Sequence, residues 1–171
     1  MCPMTHAGAL RVRPAVADDA PLLADWAADM AWETEHKRLD SATVLAGVAA
    51  GIADPLKARY YVAMHDLPLA GRETVGQPVG TLMLTTEWSD WRNGWWWWIQ
   101  SVYVDPGHRR QGVFAALYRH VRDQALAVPD VLGLRLYVEQ DNKAALRTYE
   151  ALGMRDAGYR LLAETFERPV D

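Results

Sequence analysis

The sequence predicts a mixed α/β fold, on three observations. Residues 132–139 alternate strictly, Leu132, Leu134, Leu136 and Val138 against Gly133, Arg135, Tyr137 and Glu139, which is the two-residue period of a strand. Val113, Leu117, Val121 and Ala125 instead share one stripe of a helix. The two patterns follow one another in the order β-α-α-β-β-β-α-β-α-β. Strands outnumber crossover helices, so the sheet is mixed, with a parallel step where a strand, the helix from Gln111 and the next strand succeed one another.

Leu10-Arg-Val-Arg alternates and stops at Pro14, a short first strand. Asp18 or Asp19 caps a helix with Pro21 in its first turn, and Leu22, Leu23, Trp26, Ala27 and Met30 follow at helical spacing. The polar stretch Trp32 to Arg38 reads as a loop. Ser41 caps a second helix through Val44, Leu45, Val48 and Ile52, ended near Asp54-Pro55. Strands follow at Tyr60–His65 and Val79–Thr86, joined by the Gly/Pro-rich stretch Asp66–Pro78. Asn93-Gly94 is the strongest turn signal in the chain and leads into a Trp- and Val-rich strand, Trp95–Val104. Pro106-Gly107 ends it. A helix is expected over Gln111–Val128, then the alternating strand. Asp141 or Asn142 caps a helix to Leu152, with Gly153 as the residue after its C-cap. Tyr159–Phe166 is expected to return as a last strand.

The 171 residues suit one domain, 1–171. A 50% hydrophobic and 23% charged composition is that of an ordinary globular protein. The formal charge of −4 gives no general attraction to nucleic acid or to an anionic membrane. The single cysteine, Cys2, excludes a disulfide framework, and the scattered histidines show no metal-ligand spacing, so no metal is expected. The start lacks the basic and apolar regions of a signal peptide, and no apolar run is long enough to span a bilayer. A cytoplasmic location follows as the expectation.

Two constellations carry chemistry. In the first, Val102-Tyr-Val-Asp-Pro-Gly-His-Arg-Arg-Gln-Gly-Val-Phe joins a strand to a helix. A glycine turn at a helix N-terminus presents free N–H groups and the positive end of the helix dipole, and Arg109 and Arg110 add fixed charge. This suits a pyrophosphate, although the same pattern also fits a basic surface turn. In the second, Asn142, Ala145 and Tyr149 share one face of the following helix. A tyrosine there can protonate a leaving thiolate or can pack in the core.

Taken together, in order and on successive strand–helix units, the two closely resemble the GNAT family of acyl-CoA-dependent N-acyltransferases. That family runs Arg/Gln-x-x-Gly-x-Gly/Ala after a Val-x-Pro strand end. Here Val104-Asp-Pro and Arg109-Arg-Gln-Gly112-Val-Phe114 follow it except at Phe114, which replaces the small residue. The later pattern, Asn-x-x-Ala-x-x-x-Tyr-x-x-x-Gly-Phe/Met, is matched by Asn142, Ala145, Tyr149, Gly153 and Met154.

The resemblance implies a largely antiparallel sheet of about seven strands flanked by about four helices, splayed between the fourth and fifth strands. It implies acetyl-CoA as cosubstrate, its pantetheine along Val102, Tyr103 and Val104. The diphosphate would lie on the amides of Arg110, Gln111, Gly112, Val113 and Phe114, with Arg109 beside it. Asn142 would contact the pantetheine arm, and Tyr149 would protonate the departing thiolate. The acceptor is expected to be a primary amine of a small molecule or peptide, attacking directly in a ternary complex; a non-catalytic CoA-binding module is the alternative. Glu87 is the first candidate base and Glu33 or Glu35 the next. Trp88 and Trp91, with Glu87 and Asp90, form either an aromatic, acidic mouth for a cationic amine or a homodimer contact.

Overall fold

The computed structural model describes residues 9–67 and 75–166, and these divide into two compact units on either side of the Tyr137–Val138 bond. The first contains a five-stranded sheet in the order β1 (Leu10–Pro14), β2 (Arg59–Leu67), β3 (Val75–Ser89), β4 (Gly94–Val104) and β5 (Val131–Leu136). Neighbours run antiparallel except β4 and β5, which run parallel. The helices are α1 (Ala20–Glu35), α2 (Ser41–Ala53) and α3 (Val113–Leu126), with α4 (Lys143–Ala151) in the second unit.

Strand alternation divides the core between two faces. On one, α1 and α2 bury Leu23, Trp26 and Val48 against Val62, Met64 and Tyr103 of the sheet. On the other, α3 lays down Val113, Leu117, Val121 and Ala125, all buried, as its stripe requires. Gly80 is where α3 comes closest, since a Cβ there would stand 2.9 Å from the Val113 side chain. Tyr61 on the same face donates to Gln124 of α3 at 2.6 Å and meets His120 edge-on.

The mixed α/β architecture and the splay of the fourth and fifth strands match the expectation, with five strands among the described residues rather than about seven. Residues 155–166 contain no strand, so the expected return at Tyr159–Phe166 is corrected. The expected loop from Trp32 is also shorter. Helix α1 runs on through Glu35, because α-helical hydrogen bonding tolerates a polar, solvated last turn. Strands β2 and β3 extend into the expected connector as one long antiparallel ribbon, and its remainder, 68–74, lies outside the described residues. One cap differs in identity, and the other, Asp19, is the expected residue with its side chain engaged elsewhere. Asp40, not Ser41, caps α2 by accepting from the Thr43 N–H at 2.8 Å. Asp19 precedes α1 but spends its carboxylate on a two-pronged pair with Arg13 (2.7 and 2.8 Å) and on the Val16 N–H. Helix α3 begins at Val113 rather than Gln111, with Gly112 as its N-cap in the left-handed region.

A candidate acetyl-CoA site

The parallel pairing of β4 with β5 ends at Ile99 and Leu136, while β4 continues to Val104 along β3. The Asp105 N–H donates to Val79 O across β3 at 3.0 Å. Backbone groups alternate sides along a strand, so those of Val102 and Val104 turn to the edge that β5 has left. Such groups need partners, and an extended ligand with amides of its own can supply them.

Beyond β4, Asp105 folds the chain through a single 3-10 turn, accepting from the Gly107 N–H at 2.9 Å and holding the His108 ring. Gln111 reaches back to Gly107 O at 2.9 Å and stiffens the loop. Arg110 and Gly112 both have positive φ, 63° and 84°. Gly112 opens α3, and a Cβ on it would meet nothing within 4 Å, so space stands over the helix N-terminus. Val113 is buried beneath, and Phe114 tilts against Tyr118 one turn on. This corner can hold a diphosphate through N–H groups and the helix dipole.

The two arginines part company. Arg109 donates from Nε to Val104 O at 3.0 Å and from a terminal nitrogen to Glu33 at 2.7 Å, its guanidinium 5.6 Å from the Tyr103 ring. Arg110 is exposed, and its side chain has no hydrogen-bond or ion-pair partner among the described residues.

Tyr103 is buried beside Trp26, and its hydroxyl donates to Glu33 at 3.2 Å. Burial, then the carboxylates of Glu33 and Asp29, push its phenol up. Glu33 therefore sits on the last turn of α1 over the far end of β4, partly exposed and held by Tyr103 and Arg109. Glu35 points elsewhere, paired with Lys37.

Glu87 is otherwise occupied. Both of its oxygens accept from Arg135, at 3.0 and 3.1 Å, and the Trp98 indole N–H donates to one of them. Arg135, which the sequence reading did not single out, also lies 4.0 Å from the Trp96 ring, and Arg92 lies 5.7 Å from it. Gly133 lets that ring cross β5, since a Cβ there would approach it to 3.0 Å. The aromatic faces beside Glu87 thus already carry guanidinium groups. Trp88 packs edge-on against Trp95, and Trp91 stands at the loop tip, 88% exposed. Asp90 turns back to the Trp91 N–H.

In the second unit, Asn142 caps α4, its side-chain oxygen accepting from the Ala145 N–H at 3.0 Å. Tyr149 is half-buried one face along, and burial raises its phenol above the ordinary range, so it keeps its proton through neutral pH. The helix ends in a paired-hydrogen-bond cap: Gly153, at φ 90°, donates to Glu150 O and Met154 to Tyr149 O.

In the first unit, the edge of β4 left by β5 beyond Ile99 leads to the glycine-capped start of α3. Residues 22–154 match the model of the Acetyltransferase (GNAT) family, and the chain belongs to that family and is an acetyltransferase. A possible acetyltransferase from Clostridium difficile 630 is 36% identical, with a TM-score of 0.81 over 93% of this chain and 99% of that one. The Escherichia coli (strain K12) ribosomal protein bS18 alanine N-acetyltransferase is 40% identical over 60 residues, 35% of this chain. The match spans only 40% of that relative's length. A ribosomal-protein-alanine N-acetyltransferase from Brucella melitensis biovar Abortus 2308 shares the fold at 17% identity, with a TM-score of 0.66 over 92% of this chain and all of that one. No helix among the described residues is long and apolar enough to cross a membrane.

Proposed function

We propose that the protein is an acetyl-CoA-dependent N-acetyltransferase that acetylates a primary amine of a small molecule or peptide by direct attack in a ternary complex. The observation that carries this reading is the edge of β4 beyond Ile99, left by β5 and leading into the open corner at Gly112. The residues fit the cosubstrate, which supplies an acetyl group activated as a thioester. Val102 and Val104 offer backbone groups to the pantetheine amides, and the N–H groups from Arg110 to Phe114 offer a seat for the diphosphate. A strand N–H facing the same edge polarises a carbonyl placed against it.

The chain's own groups divide the proton work. Tyr149, kept protonated by burial, is the acid for the leaving thiolate. Glu33 takes the first place as the amine-facing carboxylate, in preference to Glu87, whose lone pairs are committed to Arg135 and Trp98. Asn142 caps its own helix and in that role fixes the face that Tyr149 shares. The reading treats residues 1–171 as one transferase domain of a cytoplasmic enzyme. The Escherichia coli relative, a ribosomal protein bS18 alanine N-acetyltransferase, makes an alanine-starting peptide the first acceptor to try.

The test is thiol release from acetyl-CoA against a panel of amines that includes an alanine-starting peptide, a polyamine and an aminoglycoside. Amine-dependent release supports the reading. CoA binding without release across the panel points to the non-catalytic module, and absence of CoA binding refutes both.

A further inference from the structure

We infer that Arg135 selects the acceptor: it faces the approach of the attacking amine and favours an amine whose own molecule carries a carboxylate. This rests on the acetyl-CoA reading above and names the substrate class of the same site.

The approach follows from the sheet. A coenzyme with its diphosphate over Gly112 runs its arm back along the β4 edge towards Ile99, where β5 parts from β4. The thioester end then lies at that fork. Within the first unit, one face of the sheet carries α3, whose Val113, Leu117 and Val121 are buried. On the other face, α1 and α2 pack on Val62, Met64 and Tyr103. Thr85 and Glu87 share that second face with Thr81, the partner of Tyr103, because alternate residues of a strand point the same way. Gln100 is the extra residue of a bulge in β4, and its amide donates to Thr85 at 3.0 Å. Here Glu87 and Gln100 are exposed, and Trp96, Trp98 and Arg135 are half-buried. The amine reaches the fork over this face.

Arg135 is held in place on it. One terminal nitrogen donates to both oxygens of Glu87, at 3.0 and 3.1 Å, and the guanidinium lies 4.0 Å from the Trp96 ring. The Trp98 indole N–H donates to the same carboxylate, and Trp98 is itself stacked on Tyr137 at 4.5 Å. This leaves Nε and the second terminal nitrogen of Arg135 without a partner among the described residues. Arg135 matches the charge of Glu87, and Arg92 adds a second cation 5.7 Å from the Trp96 ring. A cationic group on the acceptor therefore meets aromatic surface already taken by guanidinium. A carboxylate meets free N–H donors on a planar group that suits it.

The carboxylate has two sources, the α-carboxylate of a free amino acid and the acidic side chain of a peptide, and the experiment separates them. It measures kcat/KM at saturating acetyl-CoA for alanine against alaninamide, and for Ala-Asp-Ala amide against its Asn and Lys counterparts. The acid member of one pair is expected to lead by about tenfold, and that pair names the source. Arg135→Gln should erase the lead and turn the preference to the Lys peptide, since Glu87 is then a bare carboxylate. Glu87→Gln should widen the lead about threefold, since Arg135 is then unopposed, and added salt should narrow it. Opposite signs are the signature of selection, because breaking a merely structural pair from either side lowers every acceptor alike. Equal or reversed preference in both pairs of the wild type, or a shift of the same sign in both variants, overturns the inference. Where no amine is acetylated, the Trp98 indole N–H signal of the CoA-loaded protein decides by NMR. The acid members should move it in the wild type and not in Arg135→Gln, and no acid-selective shift refutes the assignment. If the wild type binds no CoA, it is the acetyl-CoA reading that fails, and the assignment falls with it. Thermal melts of each variant separate unfolding from altered selection.

Discussion

At the scale of single residues, three side chains make separable predictions. Tyr149→Phe removes one hydroxyl from a half-buried phenol and should lower kcat by about 10²-fold while leaving acetyl-CoA KM nearly unchanged. Steady-state kinetics check it, and an unchanged kcat takes Tyr149 out of the acid role. Asp19, buried beside the Arg13 fork, tests stability instead. The Arg13 hydrogen bonds, then the Val16 N–H, hold its carboxyl below the usual range. A lowered folded value means that its contribution is complete above the unfolded pKa of about 4 and fades as pH falls below it. Asp19→Asn should therefore cost about 2 kcal/mol at neutral pH, with the gap from wild type closing in acid; denaturant melts at several pH values measure it. Gly112→Ala separates folding from binding. A methyl there meets nothing within 4 Å, yet φ 84° strains it by about 1 kcal/mol. The variant should fold with a slightly lower Tm and bind CoA more weakly, because the methyl stands in the space over the helix N-terminus.

At the scale of elements, legibility followed the range of the forces involved. The α3 stripe and the Gly153 cap could be read because both are set by residues within two turns of one another. Gly153→Ala should accordingly cost about 1 kcal/mol, read as a lowered Tm, since only the left-handed cap residue is affected. The extra turn of α1 is hidden because Glu33-Thr34-Glu35 is polar and Trp32 stands alone, which a hydrophobic pattern reads as loop. The partners of Glu87 are hidden from the sequence for a different reason. Its partner Arg135 lies 48 residues away, and the parallel register that brings the two together cannot be read from either strand. The Glu33–Arg109 pair spans 76 residues and was hidden in the same way. The motifs located the corner at Gly112, but the contacts of Arg109 with Val104 and Glu33 needed the fold.

On the largest scale, the sheet of the first unit, with a helical layer on each face, explains both what is fixed and what is free there. Leu117 of α3 is fully buried, so Leu117→Ala should cost about 2–5 kcal/mol, a large share of the roughly 5–15 kcal/mol that holds such a domain together. Trp91, nearly all exposed, should be replaceable by Ala within about 0.5 kcal/mol in a denaturant melt. The early halt of the β4–β5 ladder at Ile99 has a kinetic signature of its own. Amide protons along the tail of β4 should trade with deuterium in a staggered rhythm, Ser101 and Tyr103 slowly, Val102 and Val104 fast. Adding coenzyme should quiet the fast pair and leave the slow pair as it was, so a time course in heavy water would record the arm settling into its groove one amide at a time.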